Sequence, residues 1–200
     1  MVESGVFYSI VIDPLLKQLR RNVAHQIKPG EQVIDIACGT GAQAIEIAGF
    51  AAMVTGVDLS ESMIKYANEK AAKQNLLNTS FVVADATDLS AFYNQKFDVA
   101  ILSMALHQFH PDQQKPILNE IKKVARRIVI LDYAVPLPKN YAGVASKIAE
   151  FLAGADHHRN FISYSKAGGL NAILPLNGLE IKKTQYLGKG AFQLVVAELS

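Results

Sequence analysis

The stretch Asp35-Ile-Ala-Cys-Gly-Thr-Gly-Ala-Gln-Ala44 most constrains what this chain can fold into. It begins inside Gln32-Val-Ile-Asp-Ile-Ala-Cys38, a β-branched run suited to a strand buried on both faces of a parallel sheet. Gly39 and Gly41 end that run, and Ala42 to Phe50 then reads as a helix. A glycine at such a turn has no Cβ, so the backbone can bend sharply and a ligand can approach it. The same letters satisfy G-x-G-x-x-A through Gly39, Gly41 and Ala44, which after a strand suggests a dinucleotide site. Glycines that merely close a tight strand-to-helix connection satisfy it equally.

Strand and helix keep alternating along the chain. Ile12, Leu15, Leu16, Leu19, Val23 and Ile27 recur at helical spacing, with Asp13 as N-cap, Pro14 at the first helical position and Pro29-Gly30 as the stop. Met53 to Asp58, Ser80 to Asp85, Phe97 to Met104 and Arg127 to Tyr133 read as further strands. Ser60 can cap a helix whose Met63, Ala67 and Ala71 share a face, and the helix from Pro111 to about Ala125 places Ile117, Ile121 and Val124 inward. Parallel neighbours need crossover connections, so this is an α/β sheet with helices on both faces. In the tail, Tyr141, Val144, Ala145, Ile148, Ala149 and Leu152 make one apolar helical face, and a second helix leads to Gly168-Gly169. Leu179 to Leu187 and Ala191 to Leu199 flank Gly188-Lys-Gly190 as a β-hairpin, so the sheet should end mixed.

A chain of 200 residues suits one domain with one core. Half of it is hydrophobic, the formal charge is +2, and basic residues cluster only in pairs such as Lys122-Lys123 and Arg126-Arg127, so no nucleic-acid footprint is present. No apolar run approaches the roughly 20 residues of a membrane span, and the N-terminus lacks a basic segment followed by an apolar one. The single cysteine, Cys38, cannot form an internal disulfide, and a cytoplasmic location is the default.

Three carboxylates mark the first three strands: Asp35, Asp58 and Asp85. In an open α/β sheet, ligands bind beyond the carboxyl ends of the strands. Asp58 lies at the usual distance after the glycine turn to accept both ribose hydroxyls, in a dinucleotide or any other adenosine site. Asp35 discriminates, because an acid just before the turn would repel a pyrophosphate but suits a ligand bearing an ammonium group. Asp58 and Asp85 could also be helix caps or strand-end turn formers, Met63 could be core, and Asp98 reads as structural.

DIACGTG, VDLSESMIKYA, VVADATDL and FDVAILSMALHQF, in that order, resemble the class I S-adenosylmethionine-dependent methyltransferases. The resemblance is to the small-molecule group that includes the ubiquinone and menaquinone methyltransferases, and it covers roughly Val33 to Tyr133. It implies a three-layer Rossmann-like sandwich with a mostly parallel seven-stranded sheet ending in an antiparallel hairpin strand. It also implies S-adenosyl-L-methionine as cofactor, S-adenosyl-L-homocysteine as product and a small-molecule methyl acceptor. Asp35, Ala37, Cys38, Gly39 and Gly41 then form the first motif, with Asp35 toward the methionine amino group and Ala37 where glycine is frequent. Asp58 would hold the ribose, Leu59 and Met63 would flank the adenine, Asp85 and Ala86 would reach its amino edge, and Ser103 would face the methionine portion.

Methyl transfer from a sulfonium is an in-line displacement that alignment alone can largely accelerate. If the acceptor must lose a proton, the base candidates are His107, then Tyr133, with His110, His157 and His158 behind them; His107 could equally cap the helix at Pro111. His157 and His158 lack the spaced partners of a metal site. The stretch after the fourth strand also lacks the Asn-Pro-Pro-Tyr type sequence of amino methyltransferases acting on nucleic-acid bases or protein amides. The expected organisation is one domain over 1–200, with residues 1–30 as an N-terminal helical segment and 136–175 as a helical insertion. Phe7, Tyr8 and that insertion would form a lid, and with Phe109 and Tyr133 an apolar acceptor pocket. Such a protein would be a monomer or homodimer. Two other functions fit less well: an NAD(P)-dependent oxidoreductase, disfavoured by Asp35 and the hairpin, and a non-catalytic adenosine-ligand binding module.

Overall fold

A computed structural model describes residues 17–152 and 154–199, apart from the side chains of 148, 149 and 152. Phe7, Tyr8, Ile12, Asp13, Pro14, Leu15 and Leu16 lie outside the described residues. The first described helix, α1, covers residues 17–24. There follow β1 (Gln32–Ile36), α2 (Ala42–Ile47), β2 (Met53–Asp58), α3 (Glu61–Lys73), β3 (Thr79–Val83) and β4 (Phe97–Ser103). The second half comprises α4 (Pro111–Val124), β5 (Ala125–Tyr133), α5 (Tyr141–Leu152), α6 (Ala155–Lys166), α7 (Leu170–Leu176), β6 (Leu179–Leu187) and β7 (Phe192–Leu199).

The seven strands form one sheet in the order β3-β2-β1-β4-β5-β7-β6. The first five run parallel, and β7 enters antiparallel between β5 and β6, as the hairpin requires. Chain order reverses between β1 and β4, which opens a crevice at their carboxyl ends. Side chains alternate across each strand. Val33, Ile101, Val129 and Leu131 therefore pack on the side of α1, α2 and α3, while Ile34, Leu102 and Ile130 face α4, α6 and α7. Burial on both faces explains why β1, β4 and β5 read as continuous apolar runs. Among the described residues, no helix is long and apolar enough to cross a membrane.

Local chemistry sets the ends of the helices. Ser60 caps α3, its Oγ accepting from the Met63 N–H, and Pro111 opens α4 behind His110, whose Nδ1 accepts from the Asp112 N–H. The cap of α4 is thus His110, not His107. Helix α5 departs from expectation. Tyr141, Val144 and Ala145 point to solvent, and Gly143, Ser146 and Glu150 face the protein. Periodicity defines a shared face but not its direction, which here is set by polar contacts of Glu150 described below.

Gly41 also has a role the pattern does not reveal. It sits at φ +70° as the residue before α2, and a Cβ there would lie 2.6 Å from the ring of Phe81 on β3. Replacing Gly41 by alanine is expected to lower the unfolding free energy by about 2–4 kcal/mol, from left-handed strain plus overpacking. Urea denaturation showing a loss below about 0.5 kcal/mol would mean that Phe81 yields freely.

Candidate functional site

The crevice between β1 and β4 holds a cavity of about 420 Å³. Its floor is the end of β1 and the glycine turn; one rim is the end of β2 with Leu59, Ser60 and Met63, and another is Ala84 to Thr87 after β3. Ser103 to Ala105, Gln108, Phe109, Gln113 and Ile117 close the β4 side, and Leu19 and Arg20 reach in from α1.

Asp35 is 1% exposed in the middle of the sheet, and its Oδ2 has no hydrogen-bond partner in the protein. Burial, reinforced by the charge of Asp58 and only partly offset by the Ala44 backbone, pushes its carboxyl up to about 8. Such an atom is satisfied by a cation presented from the cavity. Gly39 lies beside it at φ +52°, and a Cβ there would meet nothing within 4 Å, so its backbone is open to a ligand. The Gly39 N–H donates to Asp58 Oδ2 at 2.8 Å and the Ser60 N–H to Oδ1 at 2.9 Å. Asp58 therefore both makes the turn after β2 and ties it to the glycine loop. Asp85 Oδ1 likewise accepts from the N–H and hydroxyl of Thr87, each at 2.8 Å. Leu59 is 69% exposed at the rim, an apolar surface that a flat ring would cover. The Cys38 thiol is pushed well up by burial and by Asp35 and Asp58, which keeps it a neutral wall and no nucleophile.

Residues 33–127 match the methyltransferase domain family. Over that stretch, just under half of its length, the chain is similar to a methyltransferase domain. It is 33% identical over 108 residues to a demethylmenaquinone methyltransferase of Clavibacter sepedonicus, a match covering 54% of this chain and 43% of that one. The chain spans about half the length, or less, of most curated relatives it matches. Among solved structures, a SAM dependent methyltransferase from Aquifex aeolicus superposes with a TM-score of 0.72 at 19% identity over 100% of both chains. Magnesium protoporphyrin IX methyltransferase from Synechocystis, with bound SAH, gives 0.64 at 24% identity, covering 94% of this chain and 83% of that one.

Of the residues singled out from sequence, the fold brings Asp35, Ala37, Cys38, Gly39, Asp58, Leu59, Met63, Asp85, Ala86 and Ser103 together around the cavity. Gly41 is buried behind it against Phe81. Leu19, Arg20, Gln43, Met104, Gln108 and Gln113 also line it, and sequence reasoning missed them because they come from helix faces and a loop with no motif of their own. None of the described residues of 136–175 lines it.

His107 and Tyr133 lie elsewhere, behind the β4 wall. His107 is 1% exposed; its Nδ1–H donates to Asp132 Oδ1 at 2.6 Å, and its Nε2 stands 3.4 Å from Glu150 Oε1. The Tyr133 hydroxyl donates to the same Glu150 oxygen at 2.9 Å. Tyr133, Phe161 and Tyr164 surround the imidazole edge-on. Burial alone would hold His107 neutral, but Asp132 and Glu150 outweigh it and raise it to about 9. At neutral pH it is an enclosed imidazolium. Asp132 and Glu150 were not singled out from sequence, though a lone acid in an otherwise apolar helix was a signal. Among the described residues no group of His, Cys, Asp and Glu could hold a metal, His157 and His158 included.

His107 is raised from 6.5 to about 9, so its charge stabilises the fold fully below about pH 6.5 and this contribution is lost as pH rises through 9. Over that window the loss should be about 3 kcal/mol. Asp35, raised from 3.8 to about 8, adds a decline of its own between those values, so the His107 part is the difference between wild type and His107→Gln. Chemical denaturation across the window checks it, and parallel wild-type and variant profiles would refute it.

Proposed function

We propose that this protein transfers a methyl group from S-adenosylmethionine to a small-molecule acceptor. The observation that carries the proposal is the buried Asp35 carboxylate with a free oxygen, at the base of a cavity whose rims carry Asp58 and Asp85. That oxygen fits an ammonium group and opposes a phosphate. A nicotinamide dinucleotide would bring its pyrophosphate to this place.

The bound cofactor supplies an electrophilic methyl on a sulfonium. The chain's own residues then hold and align. Asp35 neutralises the amino group, Gly39 leaves the backbone open beside it, and Asp58, with lone pairs beyond its two backbone bonds, takes the ribose hydroxyls. Leu59 and Met63 cover the adenine, with Asp85 and Ala86 at its edge. Ser103, Ala37 and Cys38 border the methionine arm. Met104, Phe109, Ile117 and Leu19 make an apolar acceptor side, with Gln108 and Gln113 as polar contacts. His107 and Tyr133 act as positioning residues behind this wall, since neither lines the cavity and both are committed to buried carboxylates. Proximity and alignment then provide the acceleration. Leu19 and Arg20 of α1 border the cavity, the segment before residue 17 serves as its cover, and the protein works in the cytoplasm.

Calorimetry with S-adenosylhomocysteine, S-adenosylmethionine and NAD tests the assignment, and binding of NAD alone would sink it. Methyl transfer itself is read by incubating the protein with labelled S-adenosylmethionine and a metabolite extract. Because the cation pairs with ionised Asp35, affinity for S-adenosylmethionine should rise with pH, by close to tenfold per unit, until about pH 8. Asp35→Asn should flatten that profile and weaken binding by about 10- to 100-fold. An unchanged profile in the variant would place the cation elsewhere.

A further inference from the structure

Helix α5 carries Tyr141, Val144, Ala145 and Phe151 on the outside. Tyr141, Val144 and Phe151 are 67%, 57% and 68% exposed, and Ala145 is exposed with them. A soluble helix ordinarily turns such a stripe inward. Here the roll of the helix is fixed from the other side. Glu150 is held by the Tyr133 hydroxyl and faces His107, and Asn140 Oδ1 accepts from the Ala142 and Gly143 N–H groups. At Gly143 a Cβ would lie 2.0 Å from the Pro138 carbonyl oxygen, so only glycine can form the inner edge. Turning the stripe inward would strand Glu150 in solvent and leave His107 Nε2 without its carboxylate neighbour. The outward apolar face is built in.

Its surroundings are basic. From Tyr133 to Ala149 the chain has no Asp or Glu, while Lys139 and Lys147 are exposed there. Lys189, on the β6–β7 turn, is also exposed and places its Nζ 4.7 Å from the centre of the Tyr141 ring. The acid of α5 itself, Glu150, is buried, and Asp156 at the start of α6 is paired with Arg159. An apolar and aromatic ridge flanked by lysines and free of unpaired acid complements a flat, negatively charged surface with an apolar interior.

We propose that α5 docks the protein on an anionic lipid surface, with Tyr141, Val144 and Phe151 entering the headgroup boundary and Lys139, Lys147 and Lys189 against the phosphates. The contact is peripheral and stands apart from the methyl-transfer site, since no α5 residue lines the cavity.

The test is flotation of the full chain with vesicles of phosphatidylcholine alone, and of phosphatidylcholine with about one quarter phosphatidylglycerol. Binding to the anionic vesicles is expected, weakening at high salt. Val144→Asp and Phe151→Asp should each lower the partition coefficient by about tenfold or more, and Lys139→Glu with Lys147→Glu by a similar factor. These exposed variants should keep the wild-type melting temperature and S-adenosylhomocysteine affinity. Absence of vesicle binding, equal binding to phosphatidylcholine alone, or full binding by the aspartate variants would overturn the proposal. So would a dimer in light scattering that Val144→Asp dissociates, because the face would then belong to a second copy. Loss of homocysteine-ligand binding in every form, with vesicle binding intact, would count against the methyl-transfer reading alone.

Discussion

A carboxylate in the central strand of a sheet, enclosed on both sides, is the constraint on which this structure turns. Asp35 sits where Val33 and Ile101 build the core, and none of the described residues satisfies one of its oxygens. An ionised, unpaired group there costs several kcal/mol of desolvation, and Asp58 adds like-charge repulsion. The fold bears this because the two cores on the faces of the sheet are extensive. What its burial provides is a carboxyl group of fixed position facing the cavity, at the point where strand order reverses.

A second buried charge system lies behind the opposite wall. Asp132 on β5 and Glu150 on α5 share the imidazolium of His107, whose backbone belongs to the loop supplying Met104, Ala105, Gln108 and Phe109 to the cavity. The Asn160 side chain donates to the Gln108 carbonyl at 2.7 Å, and the Tyr164 hydroxyl to the Tyr133 carbonyl at 3.0 Å. Helices α5 and α6 thus brace the β4 side of the cavity, and none of their described residues lines it. The insertion expected to act as a lid is seated against the loop as a buttress.

What the sequence disclosed and what it hid follow from range. The strands, the glycine turn, the Ser60 cap and the hairpin depend on neighbouring residues, so periodicity and turn chemistry located them within a few positions. That the residues singled out after β1, β2, β3 and β4 would share one cavity followed because the carboxyl ends of these strands converge once the sheet is assumed. The pairing of His107 with Asp132 was hidden, because it requires β4 and β5 to be adjacent and their following loops to fold back. The outward roll of α5 was hidden too: an apolar stripe is identical on paper whether it faces a core or a bilayer, and one glutamate decides it. Gly41 looked like a ligand glycine because the aromatic ring that claims its space lies on a strand far along the chain.

That ring has a consequence for how such a chain can change over evolutionary time. Phe81 lies against Gly41 and also against Gly56, where a Cβ would come within 2.5 Å of it. The positions are coupled: a side chain at Gly41 would meet Ala67 as well as Phe81, one at Gly56 would meet Cys38 as well as Phe81, and a smaller residue at 81 would leave a void. Each single substitution carries a packing cost, so the glycine turn is preserved partly by an aromatic side chain that does not line the cavity.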